Sequence, residues 1–131
     1  MIDFNKNSVF NLSMIREEDI SKEVYSFLIE DETIYCAFKT LRDQLIFTNK
    51  RIISIDAIGI TGKGKSYSSL PYSKVQFFSV QTPGLTTRPD KFTYNSSLHL
   101  FFTNGFTAQF DFKDGVDIFQ ICKAISTFVM N

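Results

Sequence analysis

The stretch Gly59-Ile60-Thr61-Gly62-Lys63-Gly64-Lys65-Ser66 matches the pattern G-x-x-x-x-G-K-[ST] position by position. In a phosphate loop that spacing wraps backbone N–H groups and a lysine around a nucleotide, provided the loop runs straight into a helix whose N-terminus faces the anion. Here it runs into Tyr67-Ser68-Ser69-Leu70-Pro71, which is polar, has no amphipathic period and is stopped by proline. The expectation is a hairpin turn without nucleotide binding. His99 is the only histidine and sits between Leu98 and Leu100 in a strand-like segment, in phase with Phe101. No serine or cysteine nucleophile is placed to pair with it, and one histidine with two distant cysteines makes no zinc set. Cys36 and Cys122 each fall in an apolar phase, which predicts two buried free thiols rather than a disulfide. Glu17-Glu18-Asp19 and Glu30-Asp31-Glu32 flank a helix-like segment, where solvated charge is the ordinary reading. The residues therefore offer no catalytic group, no metal set and no cofactor site, and the chain is not expected to be an enzyme.

The basic side chains are the better functional candidates. Residues 1–32 hold three basic and eight acidic groups, a net of −5, and residues 33–74 hold seven and two, a net of +5, while the whole chain is neutral. Neutrality excludes the general field by which nucleic acid is attracted. The local surplus leaves Lys39, Arg42, Lys50, Arg51, Lys63 and Lys65 as candidate contacts to an anion or to lipid head groups, through peripheral membrane attachment only. Asp43 lies directly beside Arg42 and opposes an anion there, so a structural Arg42–Asp43 turn is preferred. The acidic and basic halves can also meet within a chain or between copies, guiding assembly more than stabilising it.

These residues must be positioned by a mainly β chain. Fifteen Phe, five Tyr and no Trp in 131 residues favour half-buried strands in a single domain. Ile20, Val24, Phe27 and Leu28 recur at helical spacing, predicting an N-terminal helix over 16–30 after an arm at 1–15. From residue 33 the period becomes two, with Ile34, Cys36 and Phe38 on one face. Apolar runs at 45–48 and 51–57 meet at Asn49-Lys50, where Asn tolerates the positive φ of a tight hairpin. In the second run Ile53 and Ile55 are expected inward, Ser54 and Asp56 outward. Val75 and Phe77 share one phase and Phe78 and Val80 the other, which indicates a bulge or a strand covered on both faces. Residues 82–96 read as a long polar loop, and 98–112 as a hairpin turning at Asn104-Gly105. A final helix spans 114–130, capped by Asp114, with Ile118, Ile121, Cys122, Ile125 and Val129 on one face. No run approaches the ~18 apolar residues of a membrane span. The N-terminus also lacks the basic start and apolar stretch of a signal peptide, so a cytoplasmic location is expected.

This order of elements resembles the bacterial pleckstrin-homology (PH) family, formerly a domain of unknown function. The residues that carry the likeness are Leu41-Arg42-Asp43, Phe47-Thr48-Asn49-Lys50-Arg51, Gly59-Ile60-Thr61-Gly62-Lys63, Pro71-Tyr72 and Phe78-Ser79-Val80-Gln81-Thr82-Pro83-Gly84. It covers 17–129 and departs at 86–97, longer and more polar than the family pattern. The resemblance implies an α+β, mainly β fold: a bent antiparallel barrel of about seven strands over 33–112, with a C-terminal capping helix. It also implies ring-like homo-oligomers and no assigned activity or ligand. Eukaryotic relatives of this superfold hold phosphoinositide head groups near the position of Lys39 and Arg42.

A two-residue turn at Asn104-Gly105 would place Phe101 opposite Ala108 and His99 opposite Phe110. Phe101, Phe106, Ala108, Phe110 and Phe112 would then line the core, with Leu98, Leu100 and Phe102 exposed. A bulge that slips the register by one residue would bury that row instead. The implied oligomers favour the first, with Leu98, Leu100 and Phe102 contacting another subunit or the N-terminal helix. The functional expectation is a non-catalytic module that self-assembles and binds protein or peptide. The alternative is a peripheral membrane adaptor for anionic head groups.

Overall fold

The computed structural model describes residues 8–82, 96–113 and 115–130. The expected loop at 82–96 therefore lies almost wholly outside the described residues, as do the start of the arm and Asp114. The strands are β1 (Ser8–Ile15), β2 (Ile34–Lys39), β3 (Gln44–Thr48), β4 (Arg51–Ile58), β5 (Gly64–Pro71), β6 (Val75–Gln81), β7 (Ser96–Phe102) and β8 (Thr107–Phe112). One helix follows, α1 (Ile118–Val129). The ladder runs β5-β4-β3-β2-β1-β8-β7-β6. Part of the expected arm is thus a strand, and the described barrel has eight strands rather than seven. β1 joins the two halves: it pairs parallel with β8, shifts register between Val9 and Leu12, then pairs antiparallel with β2 from Ser13 to Ile15. Between residues 33 and 112 every described pairing is antiparallel, as expected.

The two halves enclose Leu12, Phe38, Phe47, Leu98, Phe110 and Phe112, against which α1 lays Ile118, Ile121 and Ile125. Burying each of those three isoleucines contributes roughly 1.5–3 kcal/mol, which is what holds the stopper in place. The helix starts later than the sequence suggests. Asp117 is its N-cap, Oδ1 accepting from the N–H groups of Phe119 at 3.1 Å and Gln120 at 3.4 Å.

A second cluster lies on the outer face of β2–β4, where Ile20 and Val24 cover Ala37, Ile46, Ile53 and Ile55. Covered on both faces, β4 buries Ser54 and Asp56 as well as its isoleucines, contrary to the expected alternation. The covering segment is not the helix expected over 16–30. It forms two short 3-10 turns, Glu17–Asp19 and Lys22–Ser26, with extended backbone at Ile20 between them. Gln44 stabilises the break, its Oε1 accepting from Ser21 N–H at 2.9 Å and its Nε2 donating to Asp19 C=O at 3.0 Å. The apolar spacing was real, but it lays a flat strap on a sheet rather than making one face of a helix.

The Asn104-Gly105 turn decides which face of β7 is buried. Phe102 N–H donates to Phe106 C=O at 2.9 Å and Gly105 N–H to Phe102 C=O at 3.0 Å, so the loop is three residues, with Gly105 at φ +88°. That is a type I turn closed by a left-handed glycine. Against a two-residue turn it slips the register by one, pairing Leu98 with Phe110, Leu100 with Ala108 and Phe101 with Thr107. Leu98, Leu100 and Phe102 are consequently buried, and the exposed row expected at an interface does not exist. Phe101 moves to the outer face instead, stacked on Phe77 with ring centroids 4.2 Å apart. The phase change in β6 is a register shift between Val75 and Phe77, as its sequence indicates.

The Gly59–Lys65 stretch ends in β5, antiparallel to β4 with Ile58 opposite Gly64. No helix N-terminus faces the glycines, so the phosphate-loop pattern is a hairpin. Asn49-Lys50 also turns where expected, but by another device. Asp31 is the one described non-glycine residue with positive φ, at 63°. Asn49 acts through its side chain, accepting from Thr33 N–H at 2.8 Å and donating to Asp31 C=O at 2.9 Å.

Candidate functional site

The β2–β3 and β4–β5 turns lie side by side, and hydrogen bonds explain why. Thr40 N–H donates to Asp43 C=O at 2.9 Å, and Thr40 Oγ1 accepts from Asp43 N–H at 3.1 Å. Asp43 turns inward and is nearly buried, with Oδ1 accepting from Ala57 N–H at 2.9 Å. Its charge is spent on the turn, so it opposes an external anion less than its place in the sequence suggests. Arg42 reaches across to donate to Gly59 C=O at 3.0 Å. Gly62 makes room for this: its φ is +69°, and a Cβ there would lie 3.2 Å from the Arg42 guanidinium.

With the two turns locked together, their tips project Leu41 and Ile60, at 99% and 103% relative exposure. Among the described residues these are the two most exposed large apolar side chains, and a folded chain gains nothing from leaving both in water on adjacent turns. Beside them a cleft of about 550 Å³ is lined by Ser13, Lys39, Thr40, Leu41, Arg42, Asp43 and Lys113. Lys63 follows Gly62 in the second turn and is exposed, and Lys65, the second residue of β5, lies opposite Ala57.

The six candidate cations therefore do not form one patch. Lys39, Arg42, Lys63 and Lys65 gather at this end. Lys50 and Arg51 lie at the far end of β4, where Arg51 is committed to a structural cluster. Its Nε and Nη2 donate to the two oxygens of Glu32, both at 2.9 Å, its Nη2 also to Phe27 C=O at 2.6 Å, and its guanidinium lies over the Phe27 ring. Burial pushes the Glu32 carboxyl up, but hydrogen bonds from Arg51, Thr48 and Ile29 N–H outweigh it and hold the group below the usual carboxylate value. Lys113 was missed because nothing near it in sequence points to the site. It arrives through topology, its N–H donating to Leu12 C=O at 2.8 Å as the chain leaves β8.

The remaining reactive side chains are scattered. His99 faces outward on β7, opposite Ser79 and Gln109, and its Nε2 is buried without a hydrogen-bond partner among the described residues. Cys36 and Cys122 are free and half-buried, and burial pushes the Cys36 thiol up to about 12. Among the described residues no group of three or more His, Cys, Asp or Glu is placed to hold a metal ion. No described helix is long and apolar enough to cross a membrane.

Comparison with known proteins agrees with this architecture. The family model described as "Bacterial PH domain" matches residues 3–129. An uncharacterized Bacillus subtilis protein, YjqA, is 32% identical over 122 residues, 92% of this chain and 93% of its own length. A second protein of that organism, YozO, is 31% identical over 109 residues, 83% of this chain and 88% of its own. Among solved structures, a DUF1696-family protein with a pleckstrin-homology domain from Shewanella loihica PV-4 superposes with a TM-score of 0.72 at 29% identity, covering 92% of this chain and 99% of that one.

Proposed function

The chain belongs to the bacterial PH domain family, and from that premise we propose that it is a non-catalytic binding module that attaches peripherally to an anionic membrane surface through its 40–43 and 59–63 turns. The observation that carries this reading is the pair Leu41 and Ile60, fully exposed on adjacent turns and flanked by Lys39, Arg42, Lys63 and Lys113. Apolar tips can enter the acyl boundary while nearby cations meet lipid phosphates, each cation contributing about 1 kcal/mol near such a surface. The chain as a whole is neutral, so outside this basic end it is net acidic, which keeps attachment local and orients it. An anionic inner leaflet suits this patch, in keeping with the expected cytoplasmic location.

Sedimentation with vesicles of phosphatidylcholine, with and without phosphatidylserine, tests the reading over a salt series. Binding should require the anionic lipid, weaken as salt rises, and be lost in Leu41→Asp/Ile60→Asp. Equal binding by that variant, or none by the unaltered protein at low salt, overturns it.

The self-assembling scaffold remains the second reading, on a different surface. Its expected row is buried, but Phe77, 54% exposed on β6 and stacked on Phe101, offers a second copy an apolar face beside an edge that has no ladder partner among the described residues. Light scattering after size exclusion tests it: an oligomer that Phe77→Asp dissociates supports it, and a monomer at all concentrations removes it.

A further inference from the structure

β2 is longer than the partner that covers its outer edge. Its ladder with β3 reaches Ile34, but its ladder with β1 stops at Ile15 opposite Ala37. Beyond Ile15 the chain turns away into the 3-10 turn at Glu17–Asp19. The edge of β2 from residue 34 to 36 is therefore left without a ladder partner among the described residues. In the vacated lane lies a groove of about 390 Å³, lined by Met14, Ile15, Ile34 and Tyr35 of the sheet, by Ile20 of the strap and by Ile121 of α1. Met14 and Tyr35 are half exposed there, at 57% and 50%.

An apolar trench bounded by an unpaired strand edge and a helix has the shape that receives one more strand. Main-chain hydrogen bonds to the edge would supply affinity, and alternate side chains would enter the trench. The charge at its mouth selects the occupant. Glu17 and Asp117 line it, with Glu18 and Asp19 next to Glu17. The nearby cation, Arg16, is held by Glu18 at 3.2 Å and lies 3.9 Å from Asp19. The mouth is thus acidic, whereas the loop end of the molecule is basic.

We propose that this groove binds an extended segment of another protein, apolar at alternate positions and flanked by Lys or Arg, by adding it as a strand to the free edge of β2 beside α1. The site is separate from the loop tips, so membrane attachment and peptide capture stand or fall independently.

The test uses the full chain, isotope-labelled, titrated with a capped peptide Lys-Lys-Val-Thr-Val-Thr-Val-Lys-Lys. Three comparison peptides accompany it: one with Glu at both ends, one N-methylated at alternate amides, and one scrambled to break the alternation. Amide shifts should concentrate at Ile34, Tyr35, Cys36 and Gln120. The acidic-ended and N-methylated peptides should bind at least about tenfold more weakly. Gln120→Trp, on an exposed helix position, should obstruct the groove, and Glu17→Lys should narrow or reverse the charge preference, with the folded spectrum of each variant checked first. Absence of saturable shifts up to about 1 mM peptide, or binding indifferent to N-methylation or to the scrambled order, overturns the proposal. So does movement of the same amides with protein concentration alone, which would identify a second copy as the occupant.

Discussion

Glu32 and Arg51 are the pair whose removal the structure prices most clearly, and Arg51 also separates structural from functional cations. The Glu32 side chain is fully buried and that of Arg51 is 19% exposed. The carboxylate accepts four hydrogen bonds: two from Arg51 at 2.9 Å, one from Thr48 Oγ1 at 2.7 Å and one from Ile29 N–H at 3.1 Å. Truncation to Glu32→Ala leaves the guanidinium part-buried with Phe27 C=O and Ser69 Oγ as its remaining partners. Breaking a buried pair from one side costs about 3–5 kcal/mol. Taking the usual unfolding entropy per residue for 131 residues, that lowers Tm by about 11–18 °C. The double variant Glu32→Leu/Arg51→Met should lose less than the sum of its single variants, by about 1–3 kcal/mol, because neither charge is then stranded.

Urea denaturation of the four proteins measures this, with the slope checked for constancy. The pH dependence has a fixed sign. The folded pKa of Glu32 lies below its ordinary value of 4.5, so the stabilisation is present above that value and is lost as pH falls through the folded pKa. A loss under about 1 kcal/mol in Glu32→Ala, or additive single variants, would refute the reasoning, since the observed geometry would then contribute no more than an exposed ion pair.

Three further outcomes follow from particular placements. Leu100→Asp should fail to fold or lose about 3 kcal/mol or more, because it puts a charge at a fully buried position, while Phe101→Asp one residue on should keep native circular dichroism and lose no more than about 2 kcal/mol, through its stack on Phe77. Gly105→Ala should cost about 1–2 kcal/mol in denaturant titration, since φ +88° is strained for an L side chain even though nothing lies within 4 Å of the added methyl. Cys36 should react slowly with iodoacetamide at pH 8 in the native protein and much faster in urea, because burial holds its thiol at about 12, far from the reactive thiolate.

The sequence carried the architecture further than the site. Strand runs, hairpin positions and the closing helix are encoded locally, by alternation at Cys36-Phe38, by turn residues at Asn49-Lys50 and by the isoleucine spacing after Asp117. A register shift between Ile34 and Cys36, however, moves Ile34 from the face expected for it to the outer cluster. The failures arose where two structures share one local pattern. Ile20, Val24, Phe27 and Leu28 satisfy helical spacing, yet the same residues cover a sheet as a strap broken at Ile20, and only Gln44, remote in sequence, shows where it breaks. Asn104-Gly105 suits a two-residue or a three-residue turn. One residue of difference moves Leu98, Leu100 and Phe102 from the outer face to the core. A composition-level reading of β1 had nothing to find, since its partners β2 and β8 are set by closure of the barrel.

Charge shows the same limit more sharply, because proximity in sequence misled it in both directions. Lys50 and Arg51 belong to the basic run, but the eight residues of β4 carry them to the opposite end from Lys63. Lys113 belongs to no run and lies with Lys39 and Arg42 at the cleft. The useful distinction among cations is whether a side chain has already been committed by the fold. Arg51 meets a buried carboxylate and a carbonyl; Arg42 meets a carbonyl, Gly59, which satisfies a donor but leaves its positive charge uncompensated by that bond. Vesicle binding and urea denaturation together should register that difference: Arg42→Ala should weaken attachment and cost no more than about 1 kcal/mol of stability, while Arg51→Ala should lower the denaturation midpoint and spare attachment. If both act on binding alike, attachment depends on total charge, and the Leu41–Ile60 end has no special standing.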